Sequence, residues 1–479
     1  MSRWALVDAT IRLERVVAPK TFAIRTFGCQ MNEHDSERLA GLMVADGLSP
    51  VGAGEEPDVV IFNTCTIREN ADLKLYSALG QLKALKESRP DMQIAVGGCM
   101  AQKDRSEILE RAGWVDVVFG THNLASAPAL LRKARSDGPQ IEILDAPDPE
   151  ANRDMAPALY AVRELAFAAW MTIQTGCDNT CAYCIVPAVR GEEISRPLAD
   201  LVQEAQMLAS AGVSEITVLG QNVNSYGRDI TKRGPLFAQL LRELGAIDGI
   251  ERIRFTSPHP KDLRPETIEA MADVEAVCPQ LHLPLQSGSD RVLRAMRRGY
   301  SAERYLERLA AARDAIDDLA VTTDIIVGFP GETDAEFEES LEVIASAQFD
   351  AAYTFIFSPR SGTRAADMVS EFVGDDVVKD RFERLKQVLD RSALSKHLAR
   401  VGRREEVLVE GPSRRNDQML SGRTRQGKLV HFAAPSEPLR PGSLVMVDIT
   451  YGAPYHLLGE LASVVRAPRH KVRIPLLRS

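Results

Sequence analysis

Short apolar runs alternate with helix-period stripes through most of this chain, and its reactive residues collect where the runs end. Thr21–Phe27, Val59–Phe62 and Ile94–Val96 read as buried strands. Between them Leu39, Leu42 and Met43 share one helical face, as do Leu75, Ala78, Leu79, Leu82 and Leu85. This βαβ series predicts a doubly wound α/β domain. Six further runs follow, at Ala168–Gln174, Glu215–Leu219, Arg252–Thr256, Leu281–Leu285, Val321–Val327 and Ala351–Phe357. Helical stripes separate them, such as Leu198, Leu201, Val202, Ala205 and Leu208. Six β/α units predict an open, partial (β/α)6 TIM-like barrel rather than a complete one. Last come Glu406–Glu410, Met419–Arg425, Leu429–Phe432, Leu444–Tyr451 and His456–Val464, divided by Gly411-Pro412 and Pro441-Gly442. Five short strands predict a small closed β-barrel of the OB-like kind often used on nucleic acids.

With 479 residues, about three domains are expected. The boundaries read as a poorly ordered leader at 1–20, an α/β domain at 21–145, a partial barrel at 160–398, a small barrel at 400–466 and a basic tail at 467–479. Asp145-Ala-Pro-Asp-Pro149 supplies the first linker. Arg3, Asp8, Arg12, Glu14 and Arg15 interrupt any signal-peptide core, and no apolar stretch reaches the roughly 18–20 residues of a membrane span. A cytoplasmic protein without membrane attachment is expected. The net charge of −9 is uneven: positions 400–479 hold 14 Lys and Arg against 7 Asp and Glu, and the first 399 residues 44 against 60. A basic end on an acidic body fits a nucleic-acid partner or a plain solvated surface.

The seven cysteines are an odd set in a large chain, which points to metal or redox use rather than a disulfide framework. Cys177-x3-Cys181-x2-Cys184 places three thiols close together just after an apolar run. Three thiolates on a four-iron cubane leave one iron open, and the spacing differs from the ferredoxin run whose fourth Cys completes an electron-transfer cluster. A zinc site would want a fourth Cys or His nearby, and the next His downstream is His259. Cys29, Cys65 and Cys99 each follow one of the first three strands, in Phe27-Gly28-Cys29, Asn63-Thr64-Cys65 and Gly97-Gly98-Cys99. Ligands of open parallel sheets collect outside the carboxyl ends of strands, so these three can converge as a second cluster site. Gly28, Gly97 and Gly98 would let the backbone approach it. Alone, each would read as a small core residue, which is the reading for Cys278.

Polar residues and glycines crowd the barrel strand ends, from Gly220-Gln221-Asn222 and Ser257-Pro258-His259 to Gln286-Ser287-Gly288 and Gly328-Phe329-Pro330-Gly331. That face carries function in such barrels.

These residues resemble a known family from about Thr21 to Val464. The Cys177–Cys184 motif is similar to the signature of the radical S-adenosylmethionine superfamily. The upstream cysteines, in Gly28-Cys29-Gln30-Met31-Asn32, Asn63-Thr64-Cys65 and Gly97-Gly98-Cys99-Met100-Ala101-Gln102, resemble those of its methylthiotransferases. The last barrel, with Gly422-Arg423-Thr424-Arg425 and Pro454-Tyr455-His456-Leu457, resembles the TRAM RNA-binding module. Cys29-Gln-Met-Asn-Glu-His-Asp-Ser-Glu37, Arg68-Glu69-Asn70, Phe119-Gly-Thr-His-Asn123 and Ile185-Val-Pro-Ala-Val-Arg-Gly191 look like the tRNA-acting branch rather than the ribosomal-protein branch. Ala188 departs from that pattern, where an aromatic or polar residue is common.

The resemblance implies replacement of the hydrogen on carbon 2 of a dimethylallyl-adenosine in the tRNA anticodon loop by a methylthio group. It implies two 4Fe-4S clusters. The one on Cys177, Cys181 and Cys184 would chelate S-adenosylmethionine and, with one electron, yield a 5′-deoxyadenosyl radical. The one on Cys29, Cys65 and Cys99 would accept a methyl group from another S-adenosylmethionine and present the methylated sulfur. Cofactor contacts are expected from Gln221, Asn222 and Asn224 after the second barrel strand, His282 and Gln286 at the fourth, and Asp324 and Gly328 at the fifth. His282 has the plain alternative of a satisfied strand histidine, and Asp324 that of a loop brace. Arg423, Arg425 and Lys428 would hold the RNA backbone. The expected partners are tRNA and a one-electron reductant such as flavodoxin or ferredoxin. Two alternatives stand beside this: a methylthiotransferase acting on a ribosomal-protein aspartate, and a non-enzymatic iron–sulfur RNA-binding protein or redox sensor.

Overall fold

The computed structural model describes residues 19–52, 54–66, 71–146 and 161–470. The leader up to 18, the Arg68-Glu69-Asn70 motif, the linker from 147 and the tail from 471 lie outside the described residues.

Six parallel strands form the first sheet: β1 (Thr21–Phe27), β2 (Ser49–Pro50), β3 (Val59–Thr64), β4 (Gln93–Gly98), β5 (Val117–Phe119) and β6 (Gln140–Glu142), in the order β2-β1-β3-β4-β5-β6. Every residue of β3 and β4 is buried, as expected of strands covered on both faces. Val60, Phe62, Ile94 and Val96 pack with Leu75, Leu79 and Leu82 of the Ala71–Ser88 helix. Their neighbours Val59, Ile61 and Ala95 pack with Leu39 and Met43 of the Gln30–Ala45 helix and Leu130 and Leu131 of the Ala127–Asp137 helix. The domain is therefore doubly wound. The strand order reverses between β1 and β3, the switch point where such sheets bind ligands. Phe27, Thr64 and Gly98 lie in one register across β1, β3 and β4, so the three cysteines that follow leave the sheet along one edge.

The next strands are β7 (Ala168–Thr172), an antiparallel pair β8 (Gln174–Thr175) and β9 (Ile194–Ser195), then β10 (Glu215–Leu219), β11 (Arg252–Phe255), β12 (Gln280–His282), β13 (Ala320–Val327) and β14 (Ala351–Ile356). Two three-stranded parallel sheets, β7-β10-β11 and β12-β13-β14, are joined through a parallel bridge between Ile253 and Val277. The result is an arc of six strands, with no pairing between β7 and β14 among the described residues. One face of the arc, with Met171, Ile216, Val218, Ile253, Leu281, Val321 and Ile325, packs under the helices through Leu201, Leu240, Tyr305, Phe337 and Ile344.

After the 24-residue helix Asp375–Leu398 come β15 (Arg404–Ser413), β16 (Asn416–Thr424), β17 (Leu429–Ala433), β18 (Leu444–Ala453) and β19 (His456–Arg466), a closed barrel in the order β15-β16-β17-β19-β18. Its β16–β17 turn docks on the amino ends of the partial-barrel strands. Arg252 donates to Arg423 O at 2.9 Å and to Glu406 Oε1 at 2.7 Å. Arg254 donates to Thr424 O and Arg425 O, both at 2.9 Å. Lys428 Nζ meets Asp350 Oδ1 at 2.7 Å, with both side chains buried. The small barrel thus covers the end of the arc opposite the working face.

Candidate active site

Cys177, Cys181 and Cys184 line one cavity of about 540 Å³ with Asn179, Pro187, Glu192, Thr363 and Arg364. The loop enters this geometry at Gly176, whose φ is +76°; a Cβ there would stand 1.8 Å from Glu192 O. Gly176→Ala is therefore expected to displace the loop and cut iron incorporation severely, read as iron and sulfide per chain after anaerobic reconstitution. Cys177 N donates to Gly191 O at 3.1 Å and Cys184 N to Cys181 O at 3.1 Å, which folds the three thiols together. Burial, helped by the neighbouring Cys181, pushes the Cys184 thiol up to about 12, and burial also raises Cys177. Such thiols stay protonated until a cation reaches them, and a coordinating metal deprotonates them outright. Arg298 supplies a fixed positive charge: buried against Tyr300, it places Nη1 3.4 Å from Cys181 Sγ.

The second trio stands at the switch point. Cys65 and Cys99 are buried and Cys29 is half-buried, with its Sγ 3.5 Å from Asn32 Oδ1. A hydrogen bond from Cys65, opposed by burial and aided by Arg190, lowers the Cys29 thiol to about 5. Burial raises Cys99. The glycines here answer to packing within the domain: a Cβ on Gly28 would meet Asn32 at 2.4 Å, one on Gly97 would meet the Phe119 ring at 2.3 Å, and one on Gly98 would meet Asn63 at 2.4 Å. Packing within the domain by itself therefore requires glycine at these three positions.

A five-residue helix, Val186–Arg190, lies between the trios. Cys99 packs on Ile185 and Val189, and Thr121 Oγ1 donates to Val189 O at 2.7 Å. Arg190 Nη2 reaches Asp35 Oδ2 at 2.9 Å, with both side chains buried. His34 Nδ1 meets Thr172 Oγ1 at 2.8 Å and ties the α/β domain to β7. None of the seven cysteines forms a disulfide. Among the described residues no three His, Cys, Asp or Glu side chains are arranged to hold one metal ion. A cubane asks for a different arrangement from a single ion, since its three thiolates each take a different iron.

The expected cofactor residues divide into two groups. Gln221 Oε1, Asn222 Oδ1 and Gln286 Oε1 are buried acceptors without a donor, and Gln174 Oε1 joins them. A ligand bringing N–H or O–H groups would relieve that cost, about 1–3 kcal/mol for each buried group. Gln286 also holds a φ of +72°, a strained setting for a side chain of its size. The other group is already engaged. Asn224 exchanges two hydrogen bonds with the His259 backbone, at 3.0 and 2.8 Å. His282 Nε2 lies 3.4 Å from Asp324 Oδ2, while its Nδ1 meets Thr322 Oγ1 at 2.9 Å. Gly328 donates to Glu332 Oε2 at 2.9 Å, and a Cβ on it would meet Val378 at 2.6 Å, so its place is a packing one. Arg190 and Arg298 were not singled out from sequence; their only signal is a cation in segments that otherwise bury.

Two expected RNA contacts are corrected. Lys428 is buried and paired with Asp350. Arg425 spends its guanidinium on the backbone carbonyls of Glu251, Glu275 and Val277. Both hold the small barrel to the arc. Arg423 remains about half exposed, bonded to Glu410 Oε1 at 2.9 Å. Cys278 is buried, its N–H on Ile253 O at 2.9 Å, as expected of a small core residue.

The arc and its cysteine loop define a class first: residues 171–344 match the Radical SAM superfamily, and residues 21–120 match an uncharacterized protein family, UPF0004. A radical S-adenosylmethionine methyltransferase, TsrM, from Kitasatospora setae, solved with cobalamin and a [4Fe-4S] cluster bound, shares the fold with a TM-score of 0.53 at 13% identity, over 73% of this chain and 77% of that one. Closer in sequence is the tRNA-2-methylthio-N(6)-dimethylallyladenosine synthase of Mycolicibacterium vanbaalenii, 52% identical over 92% of this chain and 88% of that protein. The synthase of the same name from Thermobifida fusca is 51% identical over 92% of this chain and 89% of that protein. The chain belongs to the family of these synthases.

Proposed function

We propose that this chain methylthiolates carbon 2 of an N6-dimethylallyl-adenosine in the tRNA anticodon loop. The observation that carries this reading is the gathering of six cysteines into two trios on either side of the Val186–Arg190 helix, in a chain about half identical to synthases of that name. Cys177, Cys181 and Cys184 would hold one 4Fe-4S cluster and Cys29, Cys65 and Cys99 another. When bound, such a cluster with S-adenosylmethionine supplies one-electron carbon–sulfur cleavage and so hydrogen abstraction from a C–H bond too weakly acidic for a general base.

The chain's own residues orient and exclude. Arg298 places a fixed guanidinium against Cys181, its Nη1 donating to Sγ at 3.4 Å. The unpartnered acceptors of Gln174, Gln221, Asn222 and Gln286 are suited to the donor groups of S-adenosylmethionine. His282 and Asp324, paired to each other, form a polar wall on β12 and β13. Residues 21–145, 160–398 and 400–466 are taken as the α/β, radical and TRAM RNA-binding units, and Arg423 as an RNA-backbone contact. No helix among the described residues is long and apolar enough to cross a membrane. A cytoplasmic setting with flavodoxin or ferredoxin as electron donor completes the reading.

The test is mass spectrometry of nucleosides from tRNA carrying dimethylallyl-adenosine, incubated anaerobically with reconstituted protein, S-adenosylmethionine and reductant. A methylthio product on adenosine is expected. Modification of ribosomal-protein peptides instead, with tRNA untouched, would replace this reading with the protein-directed one.

A further inference from the structure

We propose that Arg190, carried on the helix that closes the Cys177–Cys184 loop, is the charge-compensating partner of the other trio and sets the reduction potential of the iron–sulfur group held by Cys29, Cys65 and Cys99. The inference rests on the reading that this trio holds such a group.

Arg190 is 6% exposed, at the end of an otherwise apolar short helix. Its position is fixed from several sides. Ile185 and Val189 seat the helix on Cys99, Thr121 bonds the Val189 carbonyl, and Asp35 holds the guanidinium at 2.9 Å. Cys99, Asp35 and Cys29 are the groups that face the Arg190 guanidinium, Cys99 through a side-chain hydrogen bond. The adjacent ring gives no competing cation, because burial drives His34 down to about 3. Arg38 stands 4.0 Å from Asp35 and gives that carboxylate a second cation. A guanidinium suits this place better than an ammonium, since its planar fork can bond a carboxylate and still present N–H groups to sulfur.

A three-thiolate cluster gains one unit of negative charge when it accepts an electron. A fixed cation in a buried site favours that state, and cluster potentials follow net charge and hydrogen bonds to sulfur. Asp35 works in the opposite sense. The two members of this ion pair therefore carry opposite predictions, which a purely structural role does not.

The measurement is an anaerobic redox titration followed by electron paramagnetic resonance, with dithionite as reductant. The parent is the full-length chain carrying Cys177→Ala, Cys181→Ala and Cys184→Ala, so that only the upstream trio contributes. Arg190→Gln is expected to reduce the one-electron reduction equilibrium at least tenfold, about 59 mV. Asp35→Asn should move it the other way, and Arg190→Lys should recover most of the parent value. If Arg190→Gln misfolds, Arg190→Lys and Asp35→Asn carry the comparison. Equal iron loading with an unmoved potential in Arg190→Gln, or in Asp35→Asn where Arg190→Gln misfolds, would overturn the inference, as would shifts of the same sign from Arg190→Gln and Asp35→Asn. A parent chain that binds no iron would instead remove the cluster reading itself, and with it this inference, before any Arg190 variant is made.

Discussion

Cys181→Ala is expected to abolish the reductive conversion of S-adenosylmethionine to 5′-deoxyadenosine while leaving the cluster at Cys29, Cys65 and Cys99 in place. Cys181 is one of three thiols around a single cavity, and the one that a buried arginine addresses directly. Losing it leaves two ligands for a group that needs three, and strands the Arg298 charge in a buried site. The upstream trio depends on strand ends of a different sheet, so about half of the bound iron should remain. The reciprocal variant, Cys65→Ala, should keep 5′-deoxyadenosine formation and lose sulfur transfer to tRNA. Chromatographic assay of 5′-deoxyadenosine beside iron analysis separates the two. Cofactor cleavage surviving in Cys181→Ala would sink the assignment of that loop.

The second large effect is on stability. Lys428→Ala should cost about 3–5 kcal/mol, the range for breaking a buried ion pair from one side. Asp350 keeps the Val321 N–H at 2.9 Å, which places the loss toward the lower end. Urea unfolding followed by circular dichroism reads this as a lowered midpoint, and Lys428→Met with Asp350→Asn should recover most of it. The salt dependence of tRNA binding should barely change in folded Lys428→Ala protein. Arg423→Ala should do the reverse. Its exposed pair with Glu410 is worth at most about 1 kcal/mol, while loss of one phosphate contact would lower the salt slope by about one. An unchanged unfolding midpoint in Lys428→Ala would show that the docked turn does not hold the two barrels together.

The strands that position both trios are legible because each carries a short apolar run ended by glycine or a polar residue. The structure begins β1 at Thr21 and β10 at Glu215, as read. Strands β2, β5 and β6 were not, because two or three residues carry no period. Long-range pairing was the harder part. Lys428 and Asp350 are 78 positions apart, Arg190 and Asp35 are 155 apart, and Arg298 and Cys181 are 117 apart. A cation in a sequence shows its charge but not what it faces. Charge alone therefore suggests phosphate contacts for Lys428 and Arg425, which are internal fasteners, and gives no sign of what Arg190 and Arg298 face. Gln221, Asn222 and Gln286 were legible as polar residues at strand ends, yet only coordinates separate them from Asn224, whose amide is already committed.

The turn between β16 and β17 is gripped largely by its main chain. Arg252 and Arg254 take hold of the carbonyls of residues 423–425 rather than of their side chains. Inheritance can therefore respell Arg423 without loosening that seat, but not Arg425 or Lys428, whose own side chains fasten the turn to the arc. Gly427 is fixed as well, at φ +75°, where one added methyl would stand 2.4 Å from Gln280. In lineages that keep both barrels, variation should spare Arg425, Gly427 and Lys428 together.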